Sequence, residues 1–568
     1  ALASNNNIDL DIPTIQLLVA DCALHLFACK FNLKTRESKN LLLQFLVNDF
    51  SIGKYDELIR DLIDSPEDAI SFCQTHILLF SMEYIYEPNE DILGLIYISC
   101  KNIGNRKATG SYYTSTKVVK NLISKFDFQD EEKILDPCCG TGNFLIQLPN
   151  SVSFNSIYGN DIDAVSVKIA RLNMALKFNV PITLIYEHIT KLDFLTDFLS
   201  NGFHYIIGNP PWGYEFSENE KNKLKKTFKS TSGKNIESYD VFIEQALRHL
   251  SYNGHLAFVL PEAILNVKAH TNIREIILQS CSIKNLDFLG NAFDGVQCPC
   301  IILDLQNTHS SLSTLGMNVN TRSETFTINT ERKVTSKYFS FSTNDDEYNV
   351  LKKIRTTDNT AFLLGNADFA LGIVTGNNKE YISDEKTPDN EMVLKGADIS
   401  KYHINPATNY IIFKPESFQQ IAPTEMYRAK EKLLYRFISS QLVFAYDNKQ
   451  TLSLNSCNIV IPRIPGTKMK YVLAILNSRI AQFIYKREFN SVKILRSHIE
   501  NIPIPLVDEI TQNRIITLTD KLIDGLEINE AEKVYEELDT LIAKVFNLNS
   551  SEMEIIKKAV DGENKFLA

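Results

Sequence analysis

The stretch KILDPCCGTGNFLIQL, residues 133–148, joins a short apolar strand to an apolar helix through a turn that contains Gly140 and Gly142. Glycine allows such a turn to approach a ligand closely or to adopt positive φ values. Asp136 ends this strand, and Asp161 ends the next predicted strand 25 residues later. An acidic side chain at the end of the second strand can accept hydrogen bonds from ribose hydroxyls. The pattern predicts a cofactor-binding turn on an open sheet.

Predicted strands alternate with helices from residue 106 to residue 310. The strands are EEKILD, SIYGND, ITLIYE, FHYIIGN and GHLAFVLP, and the helices between them include DAVSVKIARLNMALKF and SYDVFIEQALRHL. This alternation is typical of an α/β fold with a mainly parallel sheet, in which ligands bind beyond the carboxyl ends of the strands.

Three further regions flank the predicted α/β domain of residues 106–310. Residues 1–105 have helical apolar spacing and predict a helical N-terminal region, whereas residues 311–510 combine short strands with irregular segments. Residues 511–568 predict amphipathic helices. At 568 residues the chain is expected to contain two to four domains.

The composition limits the class of protein. The net charge of −10 argues against a protein that coats nucleic acid indiscriminately, but residues 401–500 carry 15 Lys and Arg against six Asp and Glu. This local excess indicates contact with a polyanion or, alternatively, a solvated basic face. We find no secretory signal and no run of 18 apolar residues, and the ten scattered cysteines suit a reducing cytoplasm. We do not expect a metal site at Cys138 and Cys139 or in the CPC segment at 298–300.

Asp136 indicates which charge the cofactor carries. A carboxylate in the glycine turn would repel the pyrophosphate of a dinucleotide, so a cofactor with a positive charge fits better. S-adenosylmethionine carries an amino group and a sulfonium. We therefore expect S-adenosylmethionine as the cofactor.

Several motifs, in order, resemble those of one enzyme family. DPCCGTGNF resembles the first motif of the amino-group DNA methyltransferases, and NPPW at 209–212 resembles their catalytic motif. ATGSYYTSTKVVKNLI, at 108–123, is similar to the cofactor motif that precedes the glycine turn in γ-type adenine-N6 enzymes. EKLLYRFISSQLVFAYD, YVLAILNSRIAQFIYKREF and IENIPIP are similar to the specificity domain of the same group.

This resemblance implies a Rossmann-like, S-adenosylmethionine-dependent methyltransferase sheet in residues 106–310, followed by a mixed α+β target-recognition domain in residues 311–510. The implied activity is site-specific methylation of adenine N6 in duplex DNA after base flipping, in restriction–modification or phage defence. Double-stranded DNA is the implied partner, a separately encoded restriction endonuclease is considered as a second, and membrane association is not expected.

The resemblance also assigns cofactor-binding residues. The methionine end would contact Thr109, Gly110, Tyr113 and Thr114, and the amino acid portion would contact Asp136, Pro137, Gly140 and Gly142. Asp161 and Ile162 would hold the ribose, and Asp193 and Phe194 the adenine. Glu187 competes with Asp193 for that role, and Asp193 could instead be a helix N-cap.

The stretch YIIGNPPWGYE, residues 205–215, supplies the catalytic candidates. The side-chain oxygen of Asn209 and the carbonyl of Pro210 would accept hydrogen bonds from the target amino group, and so would localise its lone pair. Pro210 and Pro211 fix φ and so the direction of this carbonyl. Trp212, the chain's only tryptophan, stands where the family has Tyr or Phe, and would stack on the extruded base opposite Phe293. The alternatives are a proline-rich turn for NPPW and a core position for Phe293.

Basic residues in two segments are candidates for DNA contacts, although a solvated helix face explains the first segment almost equally well. They are Lys221, Lys225 and Lys226 after the catalytic motif, and Arg428, Lys430, Lys432, Arg436, Arg463, Lys486, Arg487 and Arg496 in the C-terminal half.

Other functions remain open from the sequence alone. The chain could be the modification subunit of a multisubunit system, or could methylate cytosine N4, RNA or a protein glutamine. A different class would be a catalytically inactive, sequence-specific DNA-binding protein. The first 105 residues show no convincing nuclease motif.

Overall fold

The structure, a computed structural model, describes residues 10–35, 40–101, 113–198, 200–233, 236–293, 298–308, 310, 313–489 and 491–560. The chain forms two compact units, Ala1–Phe341 and Ser342–Ala568, which are described separately below.

A nine-stranded sheet forms the centre of the first unit, in the order β3-β2-β1-β4-β5-β7-β6-β8-β9. Its first five strands in this order run parallel, and β7 is antiparallel to both β5 and β6. The strands are β1 (Ile134–Asp136), β2 (Ile157–Asp161), β3 (Ile189–Lys191), β4 (Phe203–Gly208), β5 (Leu250–Pro261), β6 (Cys281–Asn291), β7 (Pro299–Asn307), β8 (Asn318–Asn320) and β9 (Thr325–Thr327).

The helices of the first unit connect these strands or precede them. They are α1 (Ile12–Phe31), α2 (Leu41–Leu46), α3 (Asp56–Arg60), α4 (Pro66–Thr75), α5 (Ile92–Cys100), α6 (Thr116–Ile123), α7 (Asn143–Ile146), α8 (Ala164–Phe178), α9 (Ile182–His188), α10 (Glu218–Thr227), α11 (Ser238–His249) and α12 (Thr271–Ser280). The predicted α/β fold with a largely parallel sheet is therefore confirmed.

The third strand lies elsewhere than the sequence predicts. ITLIYE forms most of the helix α9, and the strand that pairs with β2 is Ile189–Lys191. Pro181 precedes the helix, and the buried side chains of Ile185 and His188 lie three positions apart, on one face. The β-branched composition indicates a strand, but packing of this face against the sheet favours the helix.

The N-terminal helices share one hydrophobic core with the sheet. Residues from Ile15 in α1 to Phe341 belong to a single buried cluster, and α1 packs on α5 and α8. Although we find no apolar run of 18 residues, α1 is long and apolar enough to cross a membrane by length and composition. Fourteen of its 20 residues are buried in this core, including Asp21, which accepts a hydrogen bond from the backbone of Leu42. It is a core helix of this unit.

The division of the chain differs from the predicted regions. The sequence places a boundary at residue 310, but β8 pairs with β6 and β9 pairs with β8, so this segment extends the nine-stranded sheet. The first unit therefore continues to Phe341 and includes the N-terminal helices.

The described residues of the second unit form three small sheets. Their orders are β11-β18-β15-β16, β12-β14-β13-β17 and β10-β19. The strands are β10 (Thr360–Phe362), β11 (Ala367–Ala370), β12 (Ile382–Ser383), β13 (Glu391–Leu394), β14 (Tyr410–Ile411), β15 (Lys432–Arg436), β16 (Phe444–Asp447), β17 (Leu452–Ser453), β18 (Cys457–Pro462) and β19 (Pro503–Pro505).

The predicted C-terminal helices form part of this unit's core, because Leu518 and Leu538 share a buried cluster with Leu433 of β15. They are not a separate body. The helices of the unit are α13 (Asp345–Arg355), α14 (Asn378–Tyr381), α15 (Thr424–Tyr427), α16 (Met469–Asn477), α17 (Arg479–Glu488), α18 (Arg496–Glu500), α19 (Glu509–Asp524), α20 (Ile528–Val545) and α21 (Ser550–Val560).

A buried ion pair joins β15 to β16. The Nζ of Lys432 lies 2.6 Å from Oδ2 of Asp447, and both side chains are fully buried. Lys432 also donates to the carbonyl of Tyr427, whereas Asp447 accepts from the backbone of Lys449 and Thr451. Burial lowers the pKa of the Lys432 ammonium, and the neighbouring carboxylate opposes this shift.

We expect Lys432→Met to lower the free energy of unfolding by roughly 3–5 kcal/mol, because it leaves the Asp447 carboxylate buried without its cation. Urea denaturation followed by circular dichroism measures the change. The matched control is Lys430→Met, which removes an exposed lysine two residues away and should cost no more than about 0.5 kcal/mol. Equal effects of the two substitutions would contradict a structural role for the buried pair.

Candidate functional site

The site lies at the point where the order of the parallel strands reverses. β1 and β4 are adjacent in the sheet, but the chain leaves β1 toward β2 on one side and leaves β4 toward β5 on the other. Connections that diverge in this way open a crevice at the carboxyl ends of the strands. A cavity of about 560 Å³ occurs here, and its walls include Gly140, Asp161 and Asn209.

The glycine turn after β1 is held by hydrogen bonds on several sides. The backbone N–H of Gly140 donates to Oδ2 of Asp161 at 2.8 Å, and that of Gly142 donates to the carbonyl of Cys139. Gly140 and Gly142 have φ values of 52° and 91°. A Cβ on Gly142 would also lie 3.1 Å from the side chain of Met174 in α8. Glycine is therefore favoured at 142 by its conformation, whereas the end of the flexible Met174 side chain could move to accept a Cβ.

Asp136 is the most deeply buried carboxylate of the turn. It is 1% exposed, its Oδ1 accepts from the backbone of Cys138 at 3.2 Å, and its Oδ2 has no hydrogen-bond partner among the described residues. Burial raises the pKa of Asp136 well above its ordinary range, and the nearby Asp161 adds to the shift. An unpartnered buried oxygen of this kind can accept a hydrogen bond from a cationic ligand.

Asp161 and Ile162 both line the cavity. The two oxygens of Asp161 accept from the backbone of Gly140 and Asp163, both at 2.8 Å. Burial raises its pKa, although these hydrogen bonds oppose the shift. Ile162 lines the cavity and is 59% exposed, so an apolar surface is available next to the carboxylate. Pro137 also lines the cavity.

The loop after β3 contributes Asp193 and Phe194 to the cavity wall. Asp193 also caps the following turn, because its carboxylate accepts from the backbone of Leu195 and from the hydroxyl of Thr196, both at 2.9 Å. Phe194 is buried and packs at 5.6 Å from the ring of Phe242. The competing candidate, Glu187, is exposed on α9 and does not line the cavity. Asp193 therefore both caps the following turn and lines the cavity.

The amide of Asn209 has a defined orientation. Its Nδ2 donates to the hydroxyl of Thr114 at 3.1 Å, and its buried Oδ1 has no hydrogen-bond partner among the described residues. Thr114 is itself held by the Asn143 amide, which donates to its carbonyl at 2.6 Å. Ser238, at the start of α11, donates its hydroxyl to the carbonyl of Pro211 at 2.5 Å. The strand end thus presents one free acceptor on a fixed support.

The two predicted stacking rings contact each other. Trp212 and Phe293 have centroids 4.9 Å apart and ring planes at 82°, an edge-to-face pair. Both side chains are buried, at 8% and 7% exposure. A base between them would need both ring faces, so this arrangement leaves no slot for it.

Of the remaining cofactor candidates, Tyr113 lies among the residues that the structure describes. Tyr113 lines the cavity with Thr114, and burial raises the pKa of its hydroxyl. Thr109 and Gly110 lie outside the described residues.

Sequence reasoning missed several residues around the cavity. Glu220, Tyr214 and Phe216 line it, and Ser238 and Asn143 support it through hydrogen bonds. Tyr214 and Phe216 follow NPPW directly, so their position relative to the motif could have indicated them. Ser238 and Asn143 act through contacts distant in sequence, for which the sequence offers no signal.

The basic candidates in the first unit are on α10. This segment is helical because Ser217 and Glu220 form a capping box at its start. Lys221 pairs with Glu218 at 2.8 Å, whereas Lys225 and Lys226 are exposed in the last turn.

The basic candidates in the second unit are less available than their number implies. Lys432 is excluded as a DNA contact, because it is buried in the ion pair with Asp447. Lys430 is exposed and Lys486 is half-buried. Five guanidinium groups have partners in the same unit: Arg428 with Glu391, Arg436 with the carbonyl of Ile399, Arg463 with Asp368, Arg487 with Glu347 and Arg496 with Glu500.

The excess of positive charge in residues 401–500 is offset within the unit. Residues 342–568 contain 28 Lys and Arg against 31 Asp and Glu. Glu391, Asp368 and Glu347 all lie outside the basic segment in sequence but pair with its arginines. The count by segment therefore overstates the positive surface.

Within the part of the chain that the structure describes, no three His, Cys, Asp or Glu side chains are arranged to hold an ion. All ten cysteines are described, and each is a free thiol.

Comparison with known proteins finds two family matches in the chain. Residues 89–358 match the family of N-6 DNA methylases, and residues 391–504 match the TaqI-like C-terminal specificity domain. Residues 89–358 belong to the N-6 DNA methylase family. The resemblance inferred from the order of the motifs is confirmed, and the chain is a DNA methyltransferase of restriction–modification type with a C-terminal recognition domain.

Relatives of this methylase include type II and type I proteins. The Type II methyltransferase M.VspI of Vibrio sp. (strain 343) is 28% identical over 324 residues, which are 56% of this chain and 76% of that protein. The Type I restriction enzyme EcoEI methylase subunit of Escherichia coli is 26% identical over 216 residues, covering 35% of this chain and 42% of that protein.

The fold has a solved counterpart in the Type IIL restriction-modification enzyme MmeI in complex with DNA. Its TM-score is 0.59 at 12% identity, over 96% of this chain and 99% of that chain. At this identity the comparison supports the fold alone.

We expect Gly208→Ala to displace Asp136 in the methylase. A Cβ at position 208 would lie 2.6 Å from Oδ1 of Asp136, and Gly208 has a φ of 153°. Overpacking of this kind costs about 1–3 kcal/mol, and if this cost falls on the conformation that binds the predicted cofactor, its affinity falls by roughly 5- to 150-fold. Isothermal titration calorimetry with S-adenosylmethionine measures the loss.

Gly202→Ala is the matched control, since Gly202 precedes the same strand with a φ of 81°, and a Cβ there would have only the Ser251 hydroxyl nearby, at 3.9 Å. This control should reduce stability by about 1 kcal/mol and leave the affinity unchanged. Unaltered affinity in Gly208→Ala would show that the close approach to Asp136 is unimportant.

Proposed function

We propose that this methylase transfers a methyl group from S-adenosylmethionine to N6 of adenine in duplex DNA, at a sequence read by its own specificity domain. The observation that carries the proposal is the buried, unpartnered Oδ1 of Asn209 at the wall of the cavity. The match of residues 89–358 to the N-6 DNA methylases supports the same target atom.

The cavity suits the proposed cofactor. When bound, S-adenosylmethionine supplies an electrophilic methyl group on a positively charged sulfur. The free oxygen of Asp136 can accept from the amino group of the methionine end, and Asp161 can accept from the ribose hydroxyls. A cation here also stabilises the charged forms of two carboxyls whose pKa values burial raises.

Asn209 and Pro210 activate the target nitrogen. The lone pair of an exocyclic amino group is delocalised into the ring, so the free amine is a weak nucleophile. The Oδ1 of Asn209 and the carbonyl of Pro210 accept its two N–H bonds, which localises the lone pair and stabilises the positive charge that develops. The new N–C bond forms as the S–C bond breaks, a thioether is released, and one proton then leaves the nitrogen for solvent.

Thr114 fixes the direction of this amide. Because the Thr114 hydroxyl accepts from Nδ2, the oxygen of Asn209 remains available as an acceptor. Ser238 holds the next peptide through the carbonyl of Pro211. The acceptors are therefore preorganised before the base arrives, which is the condition under which electrostatic stabilisation is most effective.

Access of the base requires Trp212 and Phe293 to separate. Adenine N6 is inaccessible to chemistry inside a duplex, so the base must leave the stack. The present edge-to-face contact between the two rings represents the pocket closed. Insertion of the base replaces this ring–ring contact with stacking on the base.

A second candidate is a modification subunit that depends on a separate specificity protein. The similarity to the methylase subunit of the type I enzyme from Escherichia coli favours it. The TaqI-like specificity domain at residues 391–504 favours a protein that reads its own site. A separately encoded endonuclease that cuts the unmethylated site fits either case, and co-purification would identify it.

We expect duplex DNA incubated with the protein and radiolabelled S-adenosylmethionine to yield labelled N6-methyladenine on nucleoside analysis. Label in cytosine, in RNA or in protein alone would overturn the proposed substrate. Sequencing of methylated bases in DNA from a host that expresses the protein would give the recognition site.

Asn209→Ala should lower kcat by about 100- to 1,000-fold, by analogy with removal of one preorganised transition-state contact. Cofactor affinity should change little, since Asp136 and Asp161 remain. Asn266→Ala, which removes an exposed amide after β5, is the control and should keep the wild-type rate. A normal rate in Asn209→Ala would exclude the proposed role of the amide.

Because Trp212 is the chain's only tryptophan, its fluorescence reports the contact with Phe293. We expect the emission to change when duplex DNA with the recognition site is added, and to change less with DNA that lacks the site. Phe293→Leu should alter the emission of the free protein. Identical spectra with and without the cognate DNA would contradict separation of the rings.

A further inference from the structure

A buried carboxylate from the N-terminal helices reaches the glycine turn. Asp91 is the N-cap of α5, is fully buried, and its Oδ1 accepts from the backbone N–H of Gly94 at 2.8 Å. Its Oδ2 accepts from the hydroxyl of Thr141 at 2.5 Å. Thr141 is the middle residue of the turn Gly140–Gly142. Asp91 lies outside the set of site residues assigned above.

Asn173 of α8 joins the same network. Its Nδ2 donates to Oδ1 of Asp91 at 2.7 Å and to the carbonyl of Thr141 at 2.8 Å. Thr141 is therefore held at both its hydroxyl and its carbonyl. Asp161 holds the neighbouring Gly140 through its N–H. The turn is fixed by one carboxylate at the cavity wall and by a second carboxylate in the core.

Packing around Asp91 leaves no room for a side chain at position 94. A Cβ on Gly94 would lie 2.1 Å from Oδ2 of Asp91 and 2.3 Å from the Thr141 hydroxyl. The first turn of α5 is therefore pressed directly against the glycine turn. Glycine at 94 permits the approach that the Asp91–Thr141 hydrogen bond requires.

We propose that Asp91 is a positioning residue for cofactor binding, which acts through Thr141 to hold the glycine turn in its binding conformation. This inference rests on the proposed use of S-adenosylmethionine. Burying a carboxylate is unfavourable unless its oxygens are satisfied, and here the donors come from α5, the turn and α8. The same residues thus couple the N-terminal helices to the cofactor site. Loss of Asp91 frees the turn, so affinity falls because the turn must be ordered on binding.

The test compares variants of the full chain by calorimetric titration with S-adenosylmethionine, in the absence of DNA. We expect Asp91→Ala to raise the Kd by about tenfold, with kcat at saturating cofactor within about twofold of the wild type because Asn209 is unaffected. Thr141→Val, which leaves the cap of α5 intact, should raise the Kd in the same direction and remains informative if Asp91→Ala folds poorly. The double variant should bind S-adenosylmethionine no more weakly than Asp91→Ala alone, since both substitutions remove the same Thr141–Asp91 hydrogen bond.

Asp21→Ala is the matched control. Asp21 is a buried carboxylate of the N-terminal helices that accepts a backbone N–H from Leu42, and burial raises its pKa to about 7, but it does not line the cavity. It should lower the melting temperature and leave the Kd unchanged.

An unchanged Kd in Asp91→Ala, additive effects in the double variant, or an equal rise in Asp21→Ala would each overturn the positioning role. A wild-type protein that binds no S-adenosylmethionine would instead overturn the proposed function, and the inference with it.

Discussion

The approach of β4 to the end of β1 is the constraint on which the site depends. Gly208 lies so close to Asp136 that the carboxylate occupies the space that a Cβ at position 208 would need. The sheet thereby places a buried acid next to the strand end that carries Asn209. A buried carboxylate with an unused oxygen is unfavourable in the free protein, and a cationic ligand removes that penalty. Burial of Asp136 therefore favours binding of a cation next to the amide of Asn209.

The remainder of the site consists of supports for these two strand ends. Asp161 and Asp91 hold neighbouring residues of the glycine turn, whereas Thr114 and Ser238 hold the segment that contains Asn209 and Pro211. Each support is a side chain from a different part of the first unit that holds its partner by a hydrogen bond. Hydrogen bonds of this kind contribute about 1 kcal/mol each to stability, but they restrict the directions in which the functional groups point.

Sequence reasoning succeeds where chemistry and strand position coincide. Asp136 and Asp161 each end a strand and Asn209 directly follows one, and apolar patterning locates those ends, so their convergence follows from the parallel sheet. It fails where packing decides, because ITLIYE has the composition of a strand but is a helix that buries one face. The supports from Asp91 and Ser238 are separated from their partners by 50 and 27 residues. No local pattern indicates such contacts.

Charge gives the clearest example of this limit. A segment count finds nine excess positive charges in residues 401–500, yet the unit that contains them is slightly acidic. Arg428, Arg463 and Arg487 pair with acids that come before this segment in the chain. Lys432 is buried in an ion pair with Asp447. Release of counterions from phosphates scales with the cations that reach the DNA, rather than with those in the sequence. For the proposed reading of DNA, this unit therefore offers a few exposed cations rather than a broad basic surface.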